Sequence, residues 1–103
     1  MGAAHFHWDG ILPYGDAKVD RRLIPGHAGD FKRVLVKAGT VVARHAHAFE
    51  QFFMVADGTG VLTCQTGEIA LRPGVVIHFD PDTWHEARFD TDAMIYEVNF
   101  REK

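Results

Sequence analysis

The chain has one cysteine, Cys64, in 103 residues, so no disulfide can form within it. That usage fits a reducing cytoplasm, the expected location. No apolar run approaches the roughly 18 residues of a membrane span, and no charged segment followed by an apolar one opens the chain, so neither membrane insertion nor a signal peptide is expected. Positive charge is not in excess: 11 Lys and Arg stand against 14 Asp and Glu, a formal net charge of −3, mixed along the sequence. A chain without a basic stripe has little to track a phosphate backbone, so nucleic acid is not an expected partner. Also missing are apolar residues at i, i+3, i+4 and i+7 between capping signals, so little helix is expected. There are no internal repeats, low-complexity tracts or linkers.

What is present is a chain of one-domain length, with 47% hydrophobic and 24% charged residues, enough for one modest core. Short runs rich in β-branched and aromatic residues recur at Phe31 to Lys37, Gln51 to Val55, Val61 to Gln65, Glu68 to Leu71, Val75 to Phe79 and Met94 to Phe100. Turn signals separate them: Ala38-Gly39, Asp57-Gly58, Thr66-Gly67, Arg72-Pro73-Gly74, Asp80-Pro81-Asp82 and Asp90-Thr91-Asp92. Many closely spaced strands predict an all-β sandwich or barrel. Residues 1–30, punctuated by Pro13, Pro25, Gly26 and Gly29, read as an extension or strand that docks on a barrel formed by 31–103 or on a partner subunit.

The segment His45-Ala46-His47-Ala48-Phe49-Glu50-Gln51 carries the clearest chemistry. Two histidines two residues apart on an extended strand project from one face, because strand side chains alternate with period two. A third imidazole from His85, after Pro81-Asp82-Thr83-Trp84, and an amide or carboxylate four residues beyond His47 would complete a site for one divalent metal. Taken alone, a His-x-His pair is as readily a surface feature; the phase of the surrounding residues makes the difference.

Those residues resemble the small single-domain cupins of the cupin 2 type. The family's first motif reads here as Gly39, His45, His47, Gln51 and Gly58; its second is looser, with Gly74 and His85 in place. Asp80 and Asp82 stand where the family has proline and glycine, and Phe89 where it has asparagine. The resemblance spans about Phe31 to Phe100. It implies an antiparallel jelly-roll barrel with little helix and a metal held inside it by His45, His47, Gln51 and His85.

Glu50 and Gln51 compete for the fourth position. Residues 45, 47 and 51 are separated by even steps and Glu50 is out of phase, which favours Gln51, although a turn after His47 would break the phase. Glu50, or three histidines with water, stay open. Three imidazoles and an amide are neutral ligands, so the metal keeps its full charge and is suited to Lewis-acid work on a carbonyl or bound water. Zinc, nickel, iron, manganese and copper all suit such a donor set.

On the last strand, Ala93, Ile95, Glu97 and Asn99 share one face and Met94, Tyr96, Val98 and Phe100 the other. Glu97 and Asn99 either line the pocket or are solvated, and Tyr96 and Phe100 then face another subunit or the second sheet. Partial resemblance to the cupins that linearise unsaturated uronates points to Glu97: in these an acid lies twelve residues after the last metal histidine. Their aromatic two residues later is Asn99 here. A carboxyl beside a divalent metal is a general acid or base.

Phe53, Asn99 and Arg33 are further candidates for the substrate pocket; Phe49, Met54, Trp84 and Phe89 could wall it, with core packing the default. Arg44 and Arg88 could hold a carboxylate but read as surface groups. His78 reads as a packed or rim residue, the His5-Phe6-His7 pair as part of a terminus without a third ligand, and Cys64 as a small core residue.

Three functions fit. The first is a metal-dependent lyase, isomerase or cyclase acting on a small polar organic substrate (carbonyl, sugar or carboxylate), with Glu97 moving a proton. The others are a metal-dependent dioxygenase and a non-catalytic small-molecule binding or sensing module. A homodimer is expected, because a small barrel has sheet edges and apolar terminal strands to cover.

Overall fold

The computed structural model describes residues 2–101. Two antiparallel sheets face each other. One has six strands: β1 (Tyr14–Gly15), β2 (Val19–Pro25), β3 (Gly29–Val36), β10 (Ala93–Phe100), β5 (Gln51–Asp57) and β8 (Val76–Phe79), in that order across the sheet. The other has four, in the order β4 (Val41–His45), β9 (His85–Phe89), β6 (Gly60–Cys64) and β7 (Gly67–Leu71). This is an open jelly-roll sandwich: the sheets are not joined by hydrogen bonds into a closed barrel. The helical content among the described residues is one 3-10 turn, Trp8–Gly10.

Period-two alternation builds the core. From β3 come Val34 and Val36, from β5 Phe53 and Val55, from β8 Ile77 and Phe79, and from β10 Ala93 and Ile95, all buried and directed at the second sheet. Leu62, Cys64, Leu71 and Phe89 meet them from that side. Leu62, Ile95 and Val55 are each about 1% exposed and mark the centre.

Residues 14–25 add two strands to the larger sheet. β2 pairs with β3 from Val19↔Val36 to Pro25↔Asp30, and Val19 is buried in the core. The 3-10 turn crosses the outer face of the same sheet, where Trp8 lies 5.7 Å from the Phe31 ring and 6.1 Å from that of Tyr96. Arg22 donates to Trp8 O at 2.7 Å and holds the turn in place.

The strands β4 and β9 are joined where the site lies. Gly39, at φ +82, turns the chain into β4 in a conformation that costs glycine little, and its N–H donates to Phe89 O at 2.8 Å. A register shift follows between Val42 and His45, after which His45 sits directly opposite His85.

Candidate metal centre

His45 ends β4, His47 lies two residues beyond it, and His85 begins β9. Their ring nitrogens come within 4.8 Å of one another. The His45 ring centroid is 4.8 Å from that of His47 and 4.3 Å from that of His85. Neighbours fix each ring. His45 Nδ1 lies 2.8 Å from Ala43 O and His85 Nδ1 3.2 Å from Thr83 O. A carbonyl only accepts, so each Nδ1 carries the proton and each Nε2 keeps its lone pair for a metal. Phe79 stacks on His85 at 4.3 Å, and Phe49 on His47 at 4.7 Å. His47 O accepts from Asp82 N at 2.6 Å, which ties the loop carrying His47 to the turn before His85.

The triad opens into a cavity of about 140 Å³ between the sheets. Gln51, Glu97, Asn99, Lys32 and Arg21 line it from the six-stranded sheet, with Val34, Phe53, Leu62, Phe89 and Ile95 as apolar wall. Asn99 sits opposite Gln51 across β10 and β5, and Gln51 Nε2 donates to Asn99 Oδ1 at 2.8 Å. Gln51 is 3% exposed, so its orientation is firmly held. Its amide nitrogen is occupied, which leaves Oε1 as the atom able to serve a metal. Glu50 points elsewhere: its Oε2 is 2.5 Å from His78 Nε2, on the far side of the sheet. The even spacing of His47 and Gln51 does not set a shared facing. His47 lies past the end of β4, and Gln51 begins a strand of the opposite sheet, so no common strand phase connects them. Gln51 faces the cavity through the alternation of β5 itself.

Glu97 lies opposite Lys32 across β10 and β3, with Lys32 Nζ 3.4 Å from Glu97 Oε1; each side chain is 14% exposed. Phe53, Phe49 and Phe89 line the cavity; Met54 and Trp84 do not. Arg33 is not a pocket residue. On β3 the even residues Lys32, Val34 and Val36 face inward, so Arg33 emerges on the outer face, where its guanidinium lies 5.3 Å from the Trp8 ring. Tyr96 also faces outward, away from the second sheet, and stacks on Phe31 at 5.6 Å. Arg44 covers Trp84 at 3.7 Å and pairs with Glu86, while Arg88 pairs with Asp90. Cys64 is a buried core residue. His7 caps the 3-10 turn by accepting from Asp9 N.

Residues 32–99 match the family Cupin_2, described as a cupin domain. The chain belongs to the cupin family. Solved cupin structures overlay it closely at low identity. An RmlC-like cupin from Shewanella frigidimarina matches with a TM-score of 0.85 and 16% identity, over 98% of this chain and 94% of that one. KdgF from Halomonas sp. gives 0.81 and 17%, over 99% and 97%. The polyketide cyclase RemF from Streptomyces resistomycificus gives 0.81 and 15%, over 98% and 81%. In sequence, no curated protein matches the chain.

The donor set of this cupin fits a metal. Metal–imidazole distances of about 2.0–2.1 Å place donors roughly 3–4 Å apart, so the triad needs only a small closure. Burial lowers the pKa of His47 to about 4, with the charges of His45, His85 and Lys32 acting in the same direction. The pKa of His85 is also lowered, by burial first and His45 second, against the opposing Thr83 carbonyl. Both rings therefore stand ready in the neutral, ligating form. Sequence reading missed two groups, Lys32 and Arg21. Lys32 lay within an expected strand, and sharing parity with Val34 and Val36 was signal enough to place it inside the cupin. Arg21 belongs to β2, in the segment read only as a docking extension or strand, with no residues given a face.

Proposed function

We propose that this cupin is a metal-dependent enzyme of the lyase, isomerase or cyclase kind, acting on a small polar organic substrate. The reading rests on one observation: Glu97, held by Lys32, shares a small cavity with three convergent histidines, of which His45 and His85 hold their Nε2 lone pairs free. His45, His47 and His85, with Gln51 through its Oε1, would hold one divalent ion: zinc, nickel, iron, manganese or copper. Such an ion supplies Lewis acidity toward a carbonyl or hydroxyl oxygen. The chain's own residues do the rest. Asn99 positions the Gln51 amide, Phe49 and Phe79 orient His47 and His85, and the apolar wall limits water. Glu97 takes a proton from the substrate or returns one, and the Lys32 ammonium keeps its carboxylate in place.

The test uses metal-loaded protein incubated in deuterium oxide with a panel of small ketones, hydroxy acids and sugars. A proton exchanged through Glu97 leaves deuterium on carbon, read by mass spectrometry. Glu97→Gln should lower that incorporation by about 10²–10⁴-fold while metal content holds. Incorporation unchanged in Glu97→Gln, or oxygen consumption without exchange, would overturn the reading.

The ligand set has its own test. His45→Ala together with His85→Ala should abolish stoichiometric metal by elemental analysis, and Gln51→Ala should weaken retention more than Glu50→Ala. Equal retention in the two single variants would remove Gln51 from the set. A homodimer in a reducing cytoplasm completes the proposal, supported by the apolar outer sheet face and the free thiol of Cys64.

A further inference from the structure

The cavity carries a charge imbalance that the proton chemistry does not use. In a chain of net charge −3, its lining holds Arg21, Lys32 and Glu97, one net positive charge before any metal is counted. Lys32 and Glu97 satisfy each other. Arg21 does not share in that pair: among the described residues its guanidinium has no acidic partner and no hydrogen-bond acceptor, whereas the adjacent Arg22 pairs with Asp20.

Local structure directs Arg21 into this position. On β2, Val19 and Arg21 share the inward face, and Val19 is buried. Arg21 sits opposite Val34, one inward step from the pair Leu23↔Lys32, so Arg21 and Lys32 are diagonal neighbours on the same face. Diagonal neighbours stand about 7–8 Å apart, within joint reach of one small anion. The short strand β1 closes over them. Lys32 Nζ lies 5.7 Å from the Tyr14 ring centroid, and a Cβ on Gly15, at φ +124, would come within 3.2 Å of Arg21 Nη1 and 2.2 Å of Val19 O. Only glycine leaves that room. Arg21, Tyr14 and Gly15 all precede residue 32, where the match to the cupin family begins.

We infer that Arg21, backed by Lys32, forms a carboxylate subsite facing the histidine triad, and that the substrate is a small organic acid presenting a carboxylate to Arg21 and a second oxygen to the metal. The inference rests on the metal-centre reading for the second contact only. The planar fork of one guanidinium matches carboxylate or phosphate, and charge decides for carboxylate. No second free cation lines the cavity among the described residues to balance a dianion. Size agrees: a cavity near 150 Å³ accommodates a molecule about as large as benzene, so the acid is compact.

Calorimetric titration of zinc-loaded protein with succinamate and glutaramate, each carrying one carboxylate and one amide oxygen, and with the diamides succinamide and glutaramide, which carry no carboxylate, tests this. Each monoamide should bind about tenfold more tightly than its diamide, as for a bidentate arginine contact. Arg21→Gln should erase the difference, and Arg21→Lys should restore part of it, with zinc stoichiometry unchanged in both. The inference is overturned if neither monoamide binds at millimolar concentration, if Arg21→Gln keeps the preference, or if inorganic phosphate binds wild type more tightly than either monoamide. Zinc stoichiometry separates the two readings. If wild type takes up no zinc the metal centre fails, and the same titrations on metal-free protein then decide the carboxylate subsite, which still requires an Arg21-dependent preference for the monoamide.

Discussion

Single residues at this site answer to local physics. Asp82 is the one described non-glycine residue with positive φ, at 64°, and it stands where the family has glycine. Left-handed backbone costs most L-residues roughly 1–2 kcal/mol, and aspartate less because its short polar side chain bonds locally. The departure from the motif thus keeps the turn, and the Asp82 N–H still reaches His47 O. Asp82→Gly should change the unfolding free energy by under about 0.5 kcal/mol, while Asp82→Ala should lower it by about 1 kcal/mol and loosen metal retention. Urea titration with metal analysis checks both; equal stability of the two variants would contradict the account. The histidines add a pH dependence. The folded pKa of His47 is lowered to about 4 and that of His85 is lowered too, against an ordinary value near 6.5. Above pH 6.5 the unfolded chain gains no protons over the folded one. As pH falls from about 6.5 to 4, the unfolded chain takes up protons that the folded one refuses, so metal-free protein loses stability across that window and levels off below it. Urea midpoints should therefore fall between neutral pH and about pH 5, and His47→Asn should flatten the fall.

At the scale of strands, alternation decides which groups meet. Lys32 and Glu97 pair across β3 and β10 in a position almost closed to water. Lys32→Met leaves the carboxylate without its partner and should cost about 1–3 kcal/mol, whereas Lys32→Met with Glu97→Leu should recover most of that loss. Thermal denaturation of the double-mutant cycle measures the difference, and simple additivity of the two substitutions would show that the pair is not coupled. The same alternation made β3, β5 and β10 legible from sequence. Their β-branched and aromatic runs sit between clear turn signals, and Glu97 and Asn99 could be assigned a face. The strands β4 and β9 carry the histidines but were not found as runs. Val41 to His45 is bounded by a register shift, and His85 to Phe89 mixes charged and apolar residues at half-buried positions. The bounds of β2 were not legible for another reason: Asp20 and Arg22 carry outer-face charges that anchor the 3-10 turn, and Arg21 on the inner face breaks the apolar pattern. Arg33 was misplaced because composition cannot say which face of a strand is inward until its partners are known.

For the whole molecule, the two faces of the larger sheet differ in what they leave uncovered. The inner face is closed by the second sheet. The outer face is apolar along Phe31, Tyr96, Val98 and Phe100, and beyond the reach of Trp8 it leaves Phe52 at 40%, Met54 at 38% and Val76 at 57% exposed. Phe52 contacts the Phe100 and His78 rings, so these side chains form a continuous surface rather than scattered contacts. Apolar patches of this kind on a small domain mark association sites, and sheet faces pack on each other at about 10 Å. The short edge strands β1 and β8 offer few free backbone groups, so face-to-face contact between two copies is the geometry we propose, rather than a sheet continued edge to edge. The Glu50–His78 pair rims that surface and faces away from the metal centre, which separates association from metal binding. Light scattering at micromolar concentration should report a dimer. Phe52→Glu with Met54→Glu should place two charges on the buried face and raise the dissociation constant at least about tenfold, while elemental analysis finds metal retained. A wild-type monomer, or a dimer indifferent to both substitutions, would move the interface away from this face and leave its exposed aromatic residues to another partner.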